Sequence, residues 1–259
     1  MADEGWGARL LALQTEDGLW DGGVYRPPGW VDPDRPMYDA WTATHFSVQQ
    51  LVEYGVDPVD DRVRDAVRLL RERVRWDIDG GGSYFEGETE ACVNGVVLSN
   101  AAYFGEPGEI VLAKLLAGQL ADGGWNCWDD HGATVSSFHS TICVLEGLWA
   151  WEQAAGGSQD VRRARVAGEE YLLERHLFRR RTTGEVIDPR FTMTSYPVRW
   201  YYDVLRALDY FRQTRPRGRR PLRRSARTAA SKRRPDGSWL LENTHEGADV
   251  VRDGGRVRG

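Results

Sequence analysis

Gln119-Leu-Ala-Asp-Gly-Gly-Trp125 decides the reading of this chain, because versions of it stand twice more, as Gln14-Thr-Glu-Asp-Gly-Leu-Trp20 and Arg233-Arg-Pro-Asp-Gly-Ser-Trp239. Each copy follows an amphipathic stretch and sets an Asp-Gly pair just ahead of a tryptophan. The glycine can take the left-handed position that closes a helix, and the tryptophan can fold back onto the packed helices. The tryptophans at 20, 125 and 239 leave intervals of 105 and 114 residues, each with room for two repeats of roughly 50, a period typical of stacked helix pairs. Weaker turns fall between them, at Asp79-Gly-Gly-Gly82 and Thr183-Gly-Glu185.

The pattern resembles the Gln-Trp repeat of the squalene-hopene cyclases and the glycine-rich repeat of protein prenyltransferase β subunits, and the resemblance spans most of the chain. It implies an all-α fold, an α/α toroid with inner and outer rings of helices around a central cavity, and an isoprenoid or other apolar substrate. Six helix pairs close the ring in that family.

Helical periodicity marks segments that alternate in character. Those near 38–55, 90–104, 136–153 and 197–213 are rich in aromatic and small residues and read as inner helices. Those near 60–75, 107–121, 160–177 and 220–232 carry charged faces and read as outer ones. A short helix at 6–14 opens the chain. About four and a half pairs result, so the sequence predicts an incomplete ring over residues 1–241, followed by an irregular or disordered tail over 242–259.

Composition narrows the function classes. A chain of 259 residues with 11 Trp and 10 Tyr can bury a large core as one domain. There is no basic segment followed by an apolar run at the start and no stretch of about 18 apolar residues, so neither a leader nor a membrane span is read, and the chain reads as cytoplasmic. Residues 212–235 carry 11 of the 34 basic side chains and no acidic one. Without interleaved aromatics this reads as a solvated helix face rather than a nucleic-acid site. No nucleotide or flavin motif is present. Three cysteines, Cys92, Cys127 and Cys143, are an odd number with no export signal, which favours free thiols or ligands over a disulfide framework.

Hopene cyclases protonate an alkene with Asp-x-Asp-Asp, whose central carboxyl its neighbours keep protonated. That string is missing. The nearest, Asp32-Pro-Asp34, Asp57-Pro-Val-Asp60-Asp61 and Asp129-Asp130, have the character of turns and caps.

Protein prenyltransferases hold zinc with Asp-x-Cys on one inner helix and a His on a later one. Here Glu90-Ala-Cys92 opens one inner helix and Ser137-Phe138-His139 opens the next, 47 residues on from cysteine to histidine. The resemblance therefore implies a zinc-assisted site with Glu90, Cys92 and His139 as catalytic residues. Cys92, Cys127 and His139 are the leading metal ligands, and Glu90 is next; Cys143, four residues after His139, offers another sulfur. The alternative leaves Cys92 and Cys143 as packing residues and His139 as a hydrogen-bonded first-turn histidine. Arg199, with Arg190 second, is the expected cation for an anionic substrate group, and Trp41, His45, Trp200 and Tyr201 are the expected aromatic wall. A non-catalytic toroid binding a hydrophobic ligand or peptide is the second functional reading.

Overall fold

The structure, a computed structural model, describes residues 5–26, 41–77, 81–214 and 220–245. These form nine α-helices: α1 (Gly5–Leu11), α2 (Thr44–Glu53), α3 (Asp61–Arg73), α4 (Ala91–Phe104), α5 (Glu109–Ala117), α6 (Phe138–Ala155), α7 (Gln159–Glu174), α8 (Val204–Thr214) and α9 (Arg220–Ala230). Among the described residues there is no strand, only isolated bridges such as Trp125 to Ser137. The protein is all-α. Asp32-Pro-Asp34, residues 215–219 of the basic stretch and residues 246–259 lie outside the described residues.

Two compact units divide the chain, one of residues up to Glu88 with Tyr103–Pro107, the other of Thr89–Ala102 with Gly108–His245. In the first, α1 packs on α2 and α3. Helix α3 shows how these sequences form helices. Asp60 caps it by accepting from Arg62 N, Val63, Ala66, Val67 and Leu70 form one buried stripe, and Arg71 and Arg73 sit in the last turn, where the helix dipole favours cations.

In the second unit α6 packs on α7 and α8, and α9 on α7 and α8. Helix α4 is buried almost all round, from Ala91 to Leu98 without a break, as a predominantly apolar sequence requires. It meets α6 backbone to backbone at one crossing. A Cβ built on Gly95 would stand 2.5 Å from the backbone C and O of Cys143, and one on Gly147 would fall inside the Gly95 carbonyl. The two glycines let the helix backbones touch.

The repeat turns are built alike. Gly18, Gly123 and Gly237 have φ of 88°, 95° and 89°, the left-handed conformation that glycine adopts without steric cost. Trp20 Nε1 donates to Leu10 O, Trp125 Nε1 to Leu115 O and Trp239 Nε1 to Ala229 O, each ten residues back. Gln14 and Gln119 both brace their own turn and then reach Ala66 O and Ala164 O in the helix beyond. Thr44 and Thr141 Oγ1 each accept from the repeat tryptophan's backbone N–H. The third copy has an arginine at the Gln position, and its tryptophan is 44% exposed where Trp20 and Trp125 are 0%.

One expectation is amended. Helix α8 begins at Val204 rather than near 197, because Pro197 lacks a donor, Arg199 holds a positive φ of 52° and Asp203 accepts from Arg206 N at the cap. Residues 242–245 form no helix, yet they are tied down. Glu242 and Asn243 N–H donate to Thr194 O, Tyr196 N donates to Asn243 O, and Lys232 pairs with Glu242 at 2.5 Å.

Candidate functional site

Glu90, Cys92 and Cys127 bring one oxygen and two sulfurs within 4.8 Å of one another. Cys92 sits in the first turn of α4, and Cys127 in the turn that follows the second repeat tryptophan. The wide buried face of α4 and its glycine contact with α6 bring these two segments together. Cys127 N donates to Ser140 Oγ at 3.2 Å, and Ser140 Oγ lies 3.1 Å from Cys127 Sγ. Cys92 N donates to Cys127 Sγ at 3.2 Å, while Cys92 Sγ faces Glu90 at 3.6 Å.

The two sulfurs are 2.7 Å apart and form no disulfide; two thiolates on one tetrahedral zinc stand about 3.7 Å apart, so taking up the ion would need them to separate by about 1 Å. Cys92 is held as a thiol. Its pKa is pushed well above the ordinary value, first by the hydrogen bond with Cys127 and then by burial, with electrostatic contributions from Cys127, Cys143 and Glu90 adding to it. A divalent cation would reverse that balance, since thiolates and carboxylates are its ligands. Two sulfurs and one carboxylate are a donor set that suits zinc.

His139 stands outside this group. Its Nδ1 accepts from Tyr202 N at 2.8 Å, and a neutral imidazole that accepts at Nδ1 carries its proton on Nε2. A metal-bound histidine has the opposite arrangement, one nitrogen bonded to the metal and the other donating its proton. Burial, helped by Arg206 and Arg190, lowers the His139 pKa to about 4 and keeps the ring neutral. The geometry thus puts Glu90 in the place the sequence reading gave first to His139. Cys143 is also turned elsewhere. It accepts from Arg206 Nη2 at 3.5 Å and donates to Trp200 O at 3.6 Å, and burial raises its pKa to about 11.

The predicted substrate residues separate into two settings. Trp41 and His45 are core, at 3% and 2% exposure, with His45 among Tyr25, Phe46, Trp76 and Tyr84. Trp200 and Tyr201 stack on each other at 3.8 Å, Tyr201 stacks on His245 at 3.7 Å, and His139 meets both edge-on. Arg199 is buried in the same stretch, and Arg190 is clamped by both oxygens of Asp188.

Sequence reasoning missed Ser140, which bridges to Cys127, and Arg206, which is buried and gripped by Glu146 at 2.6 Å. The signal for Arg206 was available: an arginine and a glutamate inside two otherwise apolar helix faces must find each other. No helix among the described residues is long and apolar enough to cross a membrane. No protein-family model matches the chain, and no curated protein matches it at a significant level.

Proposed function

We propose that this chain is a small, incomplete α/α toroid of the squalene-cyclase and prenyltransferase type, which acts on an isoprenoid or other apolar substrate and uses zinc held by Glu90, Cys92 and Cys127. The observation that carries the reading is the convergence of those three ligand atoms within 4.8 Å, from residues 35 positions apart in sequence. The toroid part rests on the identical tryptophan, glutamine and threonine bonds of the first two repeats.

Three protein ligands are the pattern of catalytic rather than structural zinc sites, and the ion would supply Lewis acidity. The protein's own contribution is positioning. Ser140 orients Cys127, the first turn of α4 carries Cys92 to it, and Trp200, Tyr201 and His245 present a stacked aromatic face of the kind that holds apolar chains or stabilises cationic carbon.

The second reading, a non-catalytic toroid that binds a hydrophobic ligand or peptide, is favoured by the neutralisation of Arg190 by Asp188 and by the burial of Trp41 and His45. Elemental analysis of the purified chain separates the two. Close to one zinc per chain, lost in Cys92→Ser and Cys127→Ser while the helical signal persists, is the expected result. A chain that takes up no zinc after reduction and incubation with the ion leaves the binding reading.

A further inference from the structure

A second site lies at the start of α6 and includes none of the proposed zinc ligands. An open pocket of about 480 Å3 is lined by Phe138, Tyr171, Ile187 and Phe191 and by Arg175, Arg180 and Arg181. Its walls are apolar and its rim is cationic. Phe138 packs against Tyr171 and Phe191 at 5.5 and 5.3 Å, so the aromatic floor is already assembled. Arg175 lies flat over Tyr171 at 3.8 Å and donates to Tyr171 O, which fixes its guanidinium.

The charges around it do not cancel. Arg175 has only long pairings, 3.9 Å to Asp122 and 4.0 Å to Glu174, and Arg181 shares Glu174 at 3.5 Å. Arg180 makes no ion pair among the described residues and is exposed. Three guanidinium groups against two carboxylates leave one positive charge. His139 lines the same cavity, and its Nε2–H, fixed by the Tyr202 bond, has no hydrogen-bond partner among the described residues.

We propose that this cavity binds a monoanionic carboxylate carried on an apolar body, a medium-chain fatty acid or arylalkanoic acid in class, with the chain against Phe138, Ile187 and Phe191 and the carboxylate at Arg180. A volume near 480 Å3 is in the range of small-molecule sites, and guanidinium groups suit a planar carboxylate. One net positive charge matches a monoanion and leaves a phosphate dianion or a diphosphate under-neutralised. The site stands independently of the zinc reading.

Titration calorimetry on the full chain in excess chelator tests it, with decanoate, decanol and decyl phosphate as probes. Decanoate should bind at least tenfold more tightly than decanol and more tightly than decyl phosphate. Arg180→Glu, at an exposed position with no ion pair to lose, should weaken decanoate at least tenfold while decanol binding persists. Arg224→Glu, a charge reversal on α9, should change neither. Equal binding of decanoate and decanol, an unchanged affinity in Arg180→Glu, or decyl phosphate binding tenfold tighter than decanoate would each overturn the proposal. Because zinc is stripped throughout, failure here leaves the metal reading standing, and failure of the metal reading leaves this site intact.

Discussion

Tyr202 N donates to His139 Nδ1 at 2.8 Å, and that bond settles which face of the imidazole is a donor and which is an acceptor. A ring so held offers Nε2–H to its surroundings and has no lone pair for a metal.

Zinc stoichiometry should therefore divide the four candidate ligands Glu90, Cys92, Cys127 and His139 into two groups. Glu90→Gln, Cys92→Ser and Cys127→Ser should lower zinc content, the cysteine variants to near zero. His139→Ala should retain it. Loss of zinc in His139→Ala at parental helicity, measured by emission spectrometry and circular dichroism on one sample, would show that the Tyr202 bond opens to make His139 a ligand.

The repeat tryptophans should differ in cost by their burial. Trp125 is 0% exposed, donates to Leu115 O and lies against Gly168, where a Cβ would stand 2.7 Å from its ring. Trp125→Ala should cost about 3–5 kcal/mol. Trp239 makes the same bond but is 44% exposed, so Trp239→Ala should cost less than about half as much. Urea denaturation of both variants checks the order, and equal costs would refute a shared core role scaled by burial.

Much of the helix framework was legible because α3, α6 and α7 write their caps and stripes locally: Asp60, Ser137 and Ser158 each accept a backbone N–H at the cap. The start of α8 was not, since Trp200, Val204, Ala207 and Phe211 recur at helical spacing, and only Asp203 says where the helix begins. Glu90, Cys92 and Cys127 were legible as candidate ligands by residue type. Choosing between Glu90 and His139 depended on a backbone amide 63 residues from the histidine, which no local pattern encodes. The arginines near 175–181 were invisible for the same reason. Their cavity needs Phe138 and Phe191, brought from distant segments.

Acid should destabilise the fold through its buried histidines. Burial lowers the pKa of His45 to about 3 and of His139 to about 4, from 6.5. Both stay neutral in the folded chain while their unfolded counterparts take up protons below about pH 6.5. Stability is therefore full above that value and is lost as pH falls toward the folded values. For a histidine as buried as His45, the loss between pH 7 and pH 5 is about 2 kcal/mol. His45 Nδ1 also has no hydrogen-bond partner, so His45→Phe should remove that loss without a lost bond. Urea midpoints of parent and variant at pH 7 and pH 5 should diverge as the pH falls, and parallel changes would exclude His45 as a source of acid sensitivity.

Gly95 joins the fold to the candidate metal centre. An alanine inside a helix normally favours it by up to about 1 kcal/mol over glycine, so Gly95→Ala would stabilise α4 if the helix stood alone. At Gly95 the added methyl would meet the Cys143 backbone at 2.5 Å, and backbone atoms of a packed helix cannot rotate aside as a side chain would. Overpacking of this kind costs about 1–3 kcal/mol, and the relief available is for α4 to move away from α6. Cys92, one turn before Gly95, moves with α4, while Cys127 is tied to α6 through Ser140 Oγ. Gly95→Ala should thus lower both the urea midpoint and the zinc content, and it should do so without touching a ligand. A variant as stable as the parent with full zinc occupancy would mean that the helix contact does not set the spacing of the two sulfurs.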